Sequence, residues 1–201
     1  MLLALLACIL PFPKDYGDFT ITGWDFDTIH VIYEGDVTDD DAGDLRRLME
    51  DCHGLDVHIT IESGGGSAWG GLYLYEEAEK WDNLTTIAGS KFGAWSAAAL
   101  FWLGSPVDIV AEGGFVGFHA AYCLWWAPPG CDTSEFMTAF ARVLIDEFGM
   151  ATAFALVYEM NFIQRTYGVS HWVGIASFED GTMGWATWST NVYPPVYIPW
   201  G

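Results

Sequence analysis

Hydrophobic and polar residues come in short blocks, and their period switches between strand and helix values along the chain. Residues 28–33, Thr-Ile-His-Val-Ile-Tyr, are mostly β-branched or aromatic and predict a strand. A turn at Gly35-Asp36 follows. A helix is then predicted from Asp39, capped by Thr38, with Asp41 three residues on as an approximate capping-box partner. Leu45, Leu48 and Met49 mark its apolar face, and Gly54 ends it. Asp39, Asp40 and Asp41 suit its positive end. Residues 57–62 alternate as a second strand and run into Ser63-Gly64-Gly65-Gly66-Ser67. The pattern next predicts a helix over 68–81, a strand over 84–88, a helix over 94–103, and strands over 107–111 and 114–118. Residues 123–133 are irregular. A long helical region, broken near Gly149, runs to residue 167. The tail from residue 193 is extended and aromatic, and its prolines exclude a helix.

Repeated strand-helix alternation with short connections predicts an α/β fold with a largely parallel sheet and a helical C-terminal part. The chain has 201 residues, enough for one domain with a sizeable core. We divide it into an apolar N-terminal segment or arm over 1–20, a domain over 21–192 with an insertion at 123–133, and the tail over 193–201. No internal repeat interrupts this division.

Charge narrows the partners. Seven basic residues face 27 acidic ones, for a formal net charge of -20. Such a surface repels phosphate backbones, so nucleic acid is not an expected partner. The acidity reads first as solubility, salty surroundings included. The four cysteines, Cys8, Cys52, Cys123 and Cys131, contain no CxxC pair, so no zinc site of the usual spacing is expected. Cys123 and Cys131 either close a disulfide loop, which suits an oxidising compartment, or remain free thiols. Residues 1–10 form an apolar run like a signal-peptide core without its basic leader, or else a packed arm. The run and the bridge point to the periplasm or the exterior; the missing leader points to the cytoplasm. No stretch reaches the ~20 apolar residues of a spanning helix.

Three features carry candidate chemistry. Ser63-Gly64-Gly65-Gly66-Ser67 closes a strand and opens a helix, so backbone amides there can face an anion or a developing oxyanion. No Gly-Lys-Ser/Thr follows, which excludes a nucleotide P-loop. Gly93-Ala94-Trp95-Ser96-Ala97 places a serine at a strand-to-helix turn among small residues. On its own it reads as a helix cap. His119 follows an apolar strand, and on its own it reads as a hydrogen-bonded core histidine. A serine becomes nucleophilic when a base takes its proton and a third group orients the base.

Together, the order and spacing of these features resemble the ClpP-like serine peptidases of the ClpP/crotonase superfamily, periplasmic relatives included. That family has a strand ending in a Ser-Pro-Gly-Gly-Ser-like motif, a nucleophile in Gly-x-x-Ser-Ala, and a histidine about two dozen residues later. Here the matches are Ser63 to Ser67, Gly93 to Ala97, and His119, 23 residues after Ser96. The likeness is best over residues 29–122, and Gly64 departs from it by standing where proline is usual.

The resemblance implies repeated β-β-α and βαβ units and a serine endopeptidase with Ser96 as nucleophile and His119 as base. It implies an oxyanion hole at Gly65, Gly66 and Ala97, and neither metal nor organic cofactor. Asp180, in Asp180-Gly-Thr-Met183, fits the family's acid pattern, with Glu159 and Asp146 as alternatives. It also implies a peptide or protein substrate, a homo-oligomer and, since the chain offers no ATPase domain, a separate unfoldase. Competing arrangements are a Ser-Lys dyad using Lys91 or Lys80, a crotonase-like enzyme acting on an acyl-coenzyme A, and a non-catalytic scaffold. Trp125 and Trp126, beside two prolines, suit a lid, a substrate contact, a partner subunit or a membrane interface. His171 reads as structural. Asn83-Leu-Thr85 fits a glycosylation sequon.

Overall fold

The computed structural model of the chain describes residues 15–120, 132–167, 171–177, 183–189 and 198–199. They fall into two compact units: Met1–Val116 with Ala176–Met183, and Gly117–Ile175 with Gly184–Gly201.

The first unit carries the repeated strand-helix pattern. Its strands are β1 (Asp15–Tyr16), β2 (Phe19–Asp25), β3 (Thr28–Glu34), β4 (Asp56–Glu62), β5 (Leu84–Ala88), β6 (Ala94–Trp95) and β7 (Val107–Val110). Its helices are α1 (Asp41–Asp51), α2 (Ala68–Ala78) and α3 (Ala97–Leu103). Six strands form one sheet in the order β1-β2-β3-β4-β5-β7. From β3 to β7 every neighbour is parallel, as strand-helix-strand connections require. The register joins Ile32 to Thr60, Thr60 to Ile87, and Ile87 to Ile109.

One face of that sheet is the core. Ile29, Val31 and Tyr33 on β3 and Val57, Ile59 and Ile61 on β4 are buried, while the residues between them are half-buried. Strand geometry sends alternate side chains to opposite faces, so this alternation fixes the register. Leu45, Leu48 and Met49 of α1, Leu74 of α2 and Phe101 of α3 are also fully buried. Phe19, Tyr33 and Phe101 form an aromatic cluster with ring centroids 4.6 to 5.8 Å apart.

Two boundaries differ from expectation. β1 and β2 precede the first expected strand and pair antiparallel, β2 against β3. The apolar alternation of β2 is confined to Phe19 and Ile21, and a bulge between Ile21 and Gly23 ends it. α1 begins at Asp41 rather than Asp39. The Asp41 carboxylate accepts from the Thr38 amide and hydroxyl, both at 2.8 Å, and from the Tyr33 hydroxyl at 2.6 Å. The Thr38–Asp41 pairing is therefore present, but in the turn before the helix. Burial and the neighbouring Asp41 push the Tyr33 hydroxyl far above its ordinary pKa, so it stays a donor.

Glu77 of α2 is buried and gathers Arg46 at 2.5 Å, Lys80 at 2.8 Å and the Trp81 indole at 3.3 Å. Burial opposes its ionisation, but these donors outweigh burial and hold the carboxyl below its usual range. Cys52, fully buried after α1, is disulfide-bonded, and its partner lies outside the described residues. The Cys123–Cys131 segment, with Trp125 and Trp126, also lies outside them.

The second unit contains most of β8 (Phe115–Phe118, from Gly117), α4 (Ser134–Tyr167), β9 (His171–Ser177, to Ile175), β10 (Met183–Ser189, from Gly184) and β11 (Ile198–Pro199). Its strands lie in the order β11-β10-β9-β8. Phe118 packs beside Phe140 and Trp185, and Phe148 meets Trp185 edge-on. α4 is broken where expected: Gly149 has φ 76° and ψ 160°. Beyond the break Ala153, Leu156 and Met160 are buried. On the other side Met150, Phe154, Tyr158 and Phe162 repeat every four residues and are 63, 61, 68 and 48% exposed. No helix among the described residues is long and apolar enough to cross a membrane.

Candidate active site

The site grows from the end of β4. Ser63 pairs with Ala94 of β6: its amide donates to the Gly93 carbonyl at 2.9 Å, and its own carbonyl accepts from Trp95 at 3.0 Å. Ala94 and Trp95 form a short strand, so the helix expected from residue 94 begins at Ala97 instead. The Ser63 hydroxyl donates to the Gly35 carbonyl at 2.6 Å and accepts from the Gly65 amide at 3.2 Å. The chain then crosses Val37, which pairs with Gly66 through bonds to Gly65 and Ser67. Ser67 caps α2, accepting from Gly70 at 3.2 Å.

Ser96 sits between β6 and α3 with φ 55° and ψ -119°. This is a costly conformation for a residue with a Cβ, of order 1–3 kcal/mol, and such strain gathers at functional turns. A sharp strained turn from strand to helix is the device that lifts a nucleophilic serine clear of the backbone. Gly65 lies against that turn. A Cβ on Gly65 would sit 2.5 Å from the Ser96 Cβ, 2.7 Å from the Trp95 carbonyl oxygen and 3.1 Å from the Ala97 nitrogen. Gly71, in the first turn of α2, touches Ala97 just as closely. Ala97, Ala98 and Ala99 are buried, so only small side chains fit behind Ser96.

The expected oxyanion donors divide. The Gly65 amide is taken by Ser63, so Gly65 belongs to the site through its close approach. Among the described residues the amides of Gly66 and Ala97 donate no hydrogen bond. The Ala97 amide is one of the free N–H groups that open any helix.

His119 follows β8 and belongs to the second unit. Its Nδ1 lies 2.8 Å from the Ala120 carbonyl oxygen. A carbonyl only accepts, so Nδ1 carries the hydrogen and Nε2 is the basic nitrogen. Burial lowers its proton affinity, and the Ala120 bond offsets this only in part. The imidazole is therefore neutral near pH 7, the state a general base needs.

Asp180 lies outside the described residues. On α4, Asp146 is exposed and Glu159 half-buried. The alternative bases are engaged elsewhere: Lys80 with Glu77 at 2.8 Å, and Lys91 with Glu34 at 3.2 Å. No group of three or more His, Cys, Asp or Glu among the described residues is placed to hold a metal. The sequon residue Asn83 is half-buried, and its side-chain amide donates to the Leu55 carbonyl. Two contributors escaped the sequence reading: the Ser63 hydroxyl and the Glu62 carboxylate. Their signal was their position, where β4 meets the glycine run.

The sequence matches no protein-family model and no curated protein. Solved structures do match. Enoyl-CoA hydratase from Bacillus anthracis aligns with a TM-score of 0.50 at 10% identity, over 74% of this chain and 67% of that one. The chain has the ClpP/crotonase fold. A mutant ClpP1 from Listeria monocytogenes aligns with a TM-score of 0.49 at 15% identity, over 65% of this chain and 78% of that one. A mutant of the 1510-N membrane-bound stomatin-specific protease gives 0.47 at 13% identity, over 69% and 74%. At 10% identity the likeness to the hydratase speaks for the fold alone, since one fold hosts many activities.

Proposed function

We propose that the chain is a serine hydrolase that cleaves peptide bonds through an acyl-enzyme. Ser96 attacks the carbonyl and His119 takes its proton at Nε2. The amides of Gly66 and Ala97 receive the oxyanion, and Asp180 orients the histidine. His119 then protonates the leaving amine, and water releases the acyl group. The observation that carries this reading is the backbone of Ser96, at φ 55° and ψ -119°. A helix-capping serine has no use for that strain, and the Ser96 side chain accepts no capping bond. His119 is assigned on its order and spacing after Ser96 and on its neutral state. Peptide as the substrate class rests on the motif resemblance.

An acyl-coenzyme A reading fits less well. Its phosphates need cations, and of the seven basic residues Arg46 and Lys80 are held by Glu77, Arg47 by Asp44 and Lys91 by Glu34. The test is labelling with a fluorophosphonate probe. Label should map to Ser96 and vanish in Ser96→Ala and His119→Ala, while fluorogenic peptides are hydrolysed by the native protein alone. A folded native protein that takes no label would sink the hydrolase reading.

The pH profile gives an independent check. The base must be neutral, and burial holds its folded pKa below the ordinary histidine value of about 6.5. Labelling should therefore be level at neutral pH and fall only as the pH drops below 6.5. An acid limb centred at or above that value would remove His119 from the role.

A further inference from the structure

Glu62 ends β4, one residue before Ser63, and its carboxylate points at the loop leading to Ser96. Three consecutive backbone amides of that loop converge on it: Lys91 at 3.3 Å and Oε1, Phe92 at 2.5 Å and Gly93 at 3.0 Å, both on Oε2. Successive amides turned inward make an anion-binding concavity, and here the chain fills it with its own carboxylate. Gly89 leaves the space, since a Cβ there would overlap the carboxylate. Lys91 and Phe92 are exposed, and the loop is also tied by the Lys91–Glu34 pair at 3.2 Å and the Trp95 indole bond to the Phe92 carbonyl at 2.5 Å.

The clamp is joined to the nucleophile by few bonds. Gly93 passes directly into β6, which Ser63 holds through both the Gly93 carbonyl and the Trp95 amide. Glu62 and Ser63 thus grip the same segment, one through the side chain and the other through the backbone. A strained turn persists only while its surroundings over-determine it, and these adjacent residues are part of what surrounds Ser96.

We propose that Glu62 is a positioning residue for the Ser96 nucleophile: by gathering the amides of Lys91, Phe92 and Gly93 it sets the strand that presents the serine. The role rests on the hydrolase reading for its catalytic consequence, but not for its structural one. Glu62→Gln keeps the size and one acceptor oxygen, and turns the other position into a donor facing donors.

The experiment compares native protein, Glu62→Gln and Glu62→Ala by residue-resolved amide hydrogen exchange and by saturation labelling with a fluorophosphonate. Exchange should quicken at Phe92 and Gly93 and also at the Trp95 amide, two residues beyond the clamp. The maximal labelling rate constant should drop about ten- to a hundredfold, the scale of a small misplacement of a reacting group. The half-saturating probe concentration should hold steady, with native circular dichroism in Glu62→Gln. Faster exchange confined to residues 91–93, or unchanged labelling in a protein that labels when native, would overturn the proposal and leave Glu62 a local loop cap. If native protein takes no label, the hydrolase reading fails separately, and the Trp95 amide still decides the positioning role.

Discussion

Replacing Ser96 with glycine is expected to abolish labelling and raise the melting temperature, whereas Ser96→Ala abolishes labelling without that gain. Both variants lose the hydroxyl. Only glycine loses the Cβ that makes φ 55° and ψ -119° costly. Relief of the strain is worth of order 1–3 kcal/mol. Glycine's freer unfolded chain takes back about 0.4–1 kcal/mol. The balance is about 1 kcal/mol in favour of glycine, or roughly 2–4 °C for a chain of this length. Thermal unfolding of the two variants side by side checks it. A glycine variant that melts below the alanine one would mean that the turn stores no strain, and the argument for a nucleophile would lose its main support.

Gly65→Ala tests the same turn from the opposite wall. The new Cβ meets the Ser96 Cβ at 2.5 Å and the Trp95 carbonyl oxygen at 2.7 Å, on a residue whose φ is +93°. Neither obstacle is a flexible side-chain tip, so the backbone must move. Overpacking costs about 1–3 kcal/mol and a left-handed backbone about 1–2 kcal/mol more. We expect a loss of about 2–5 kcal/mol in stability and a fall of about a hundredfold in labelling, since the displaced atoms are those that aim Ser96. Gly64→Ala is the control. Gly64 has nothing within 4 Å of its would-be Cβ and no positive φ, so its effect should stay within about 0.5 kcal/mol. Equal behaviour of the two variants, measured by denaturant unfolding and probe labelling, would contradict the packing described for Gly65.

The glycine run and the serine turn were legible in the sequence because both are local. Small residues at the end of an alternating strand specify their own geometry, and strands at residues 57–62 and 84–88 announce themselves by β-branching. What escaped notice depends on partners distant in sequence. Ala94 and Trp95 look helical beside an alanine-rich run, and they are a strand because of pairing with residues distant in sequence. Glu62 reads as a surface acid until Phe92 and Gly93 fold back onto it. β2 was missed because a bulge at Ile21/Gly23 breaks its alternation. Asp41 was paired with Thr38 from a capping rule, but its third partner, Tyr33, comes from the preceding strand. The proposed orienting acid is the hardest to read, since Asp180 rests on a four-residue pattern alone.

The exposed stripe on α4 has a consequence for how copies of the protein behave in solution. A formal charge of -20 keeps molecules apart across a screening distance of about 10 Å in 0.1 M salt and about 3 Å in 1 M. The attraction between the Met150, Phe154, Tyr158 and Phe162 faces is short-ranged and does not weaken with ionic strength. Colloidal stability is then a contest that salt decides. The second virial coefficient, followed by static light scattering, should turn from positive to negative as salt rises. Exchanging Phe154 and Tyr158 for serine should move that crossover to higher salt or remove it.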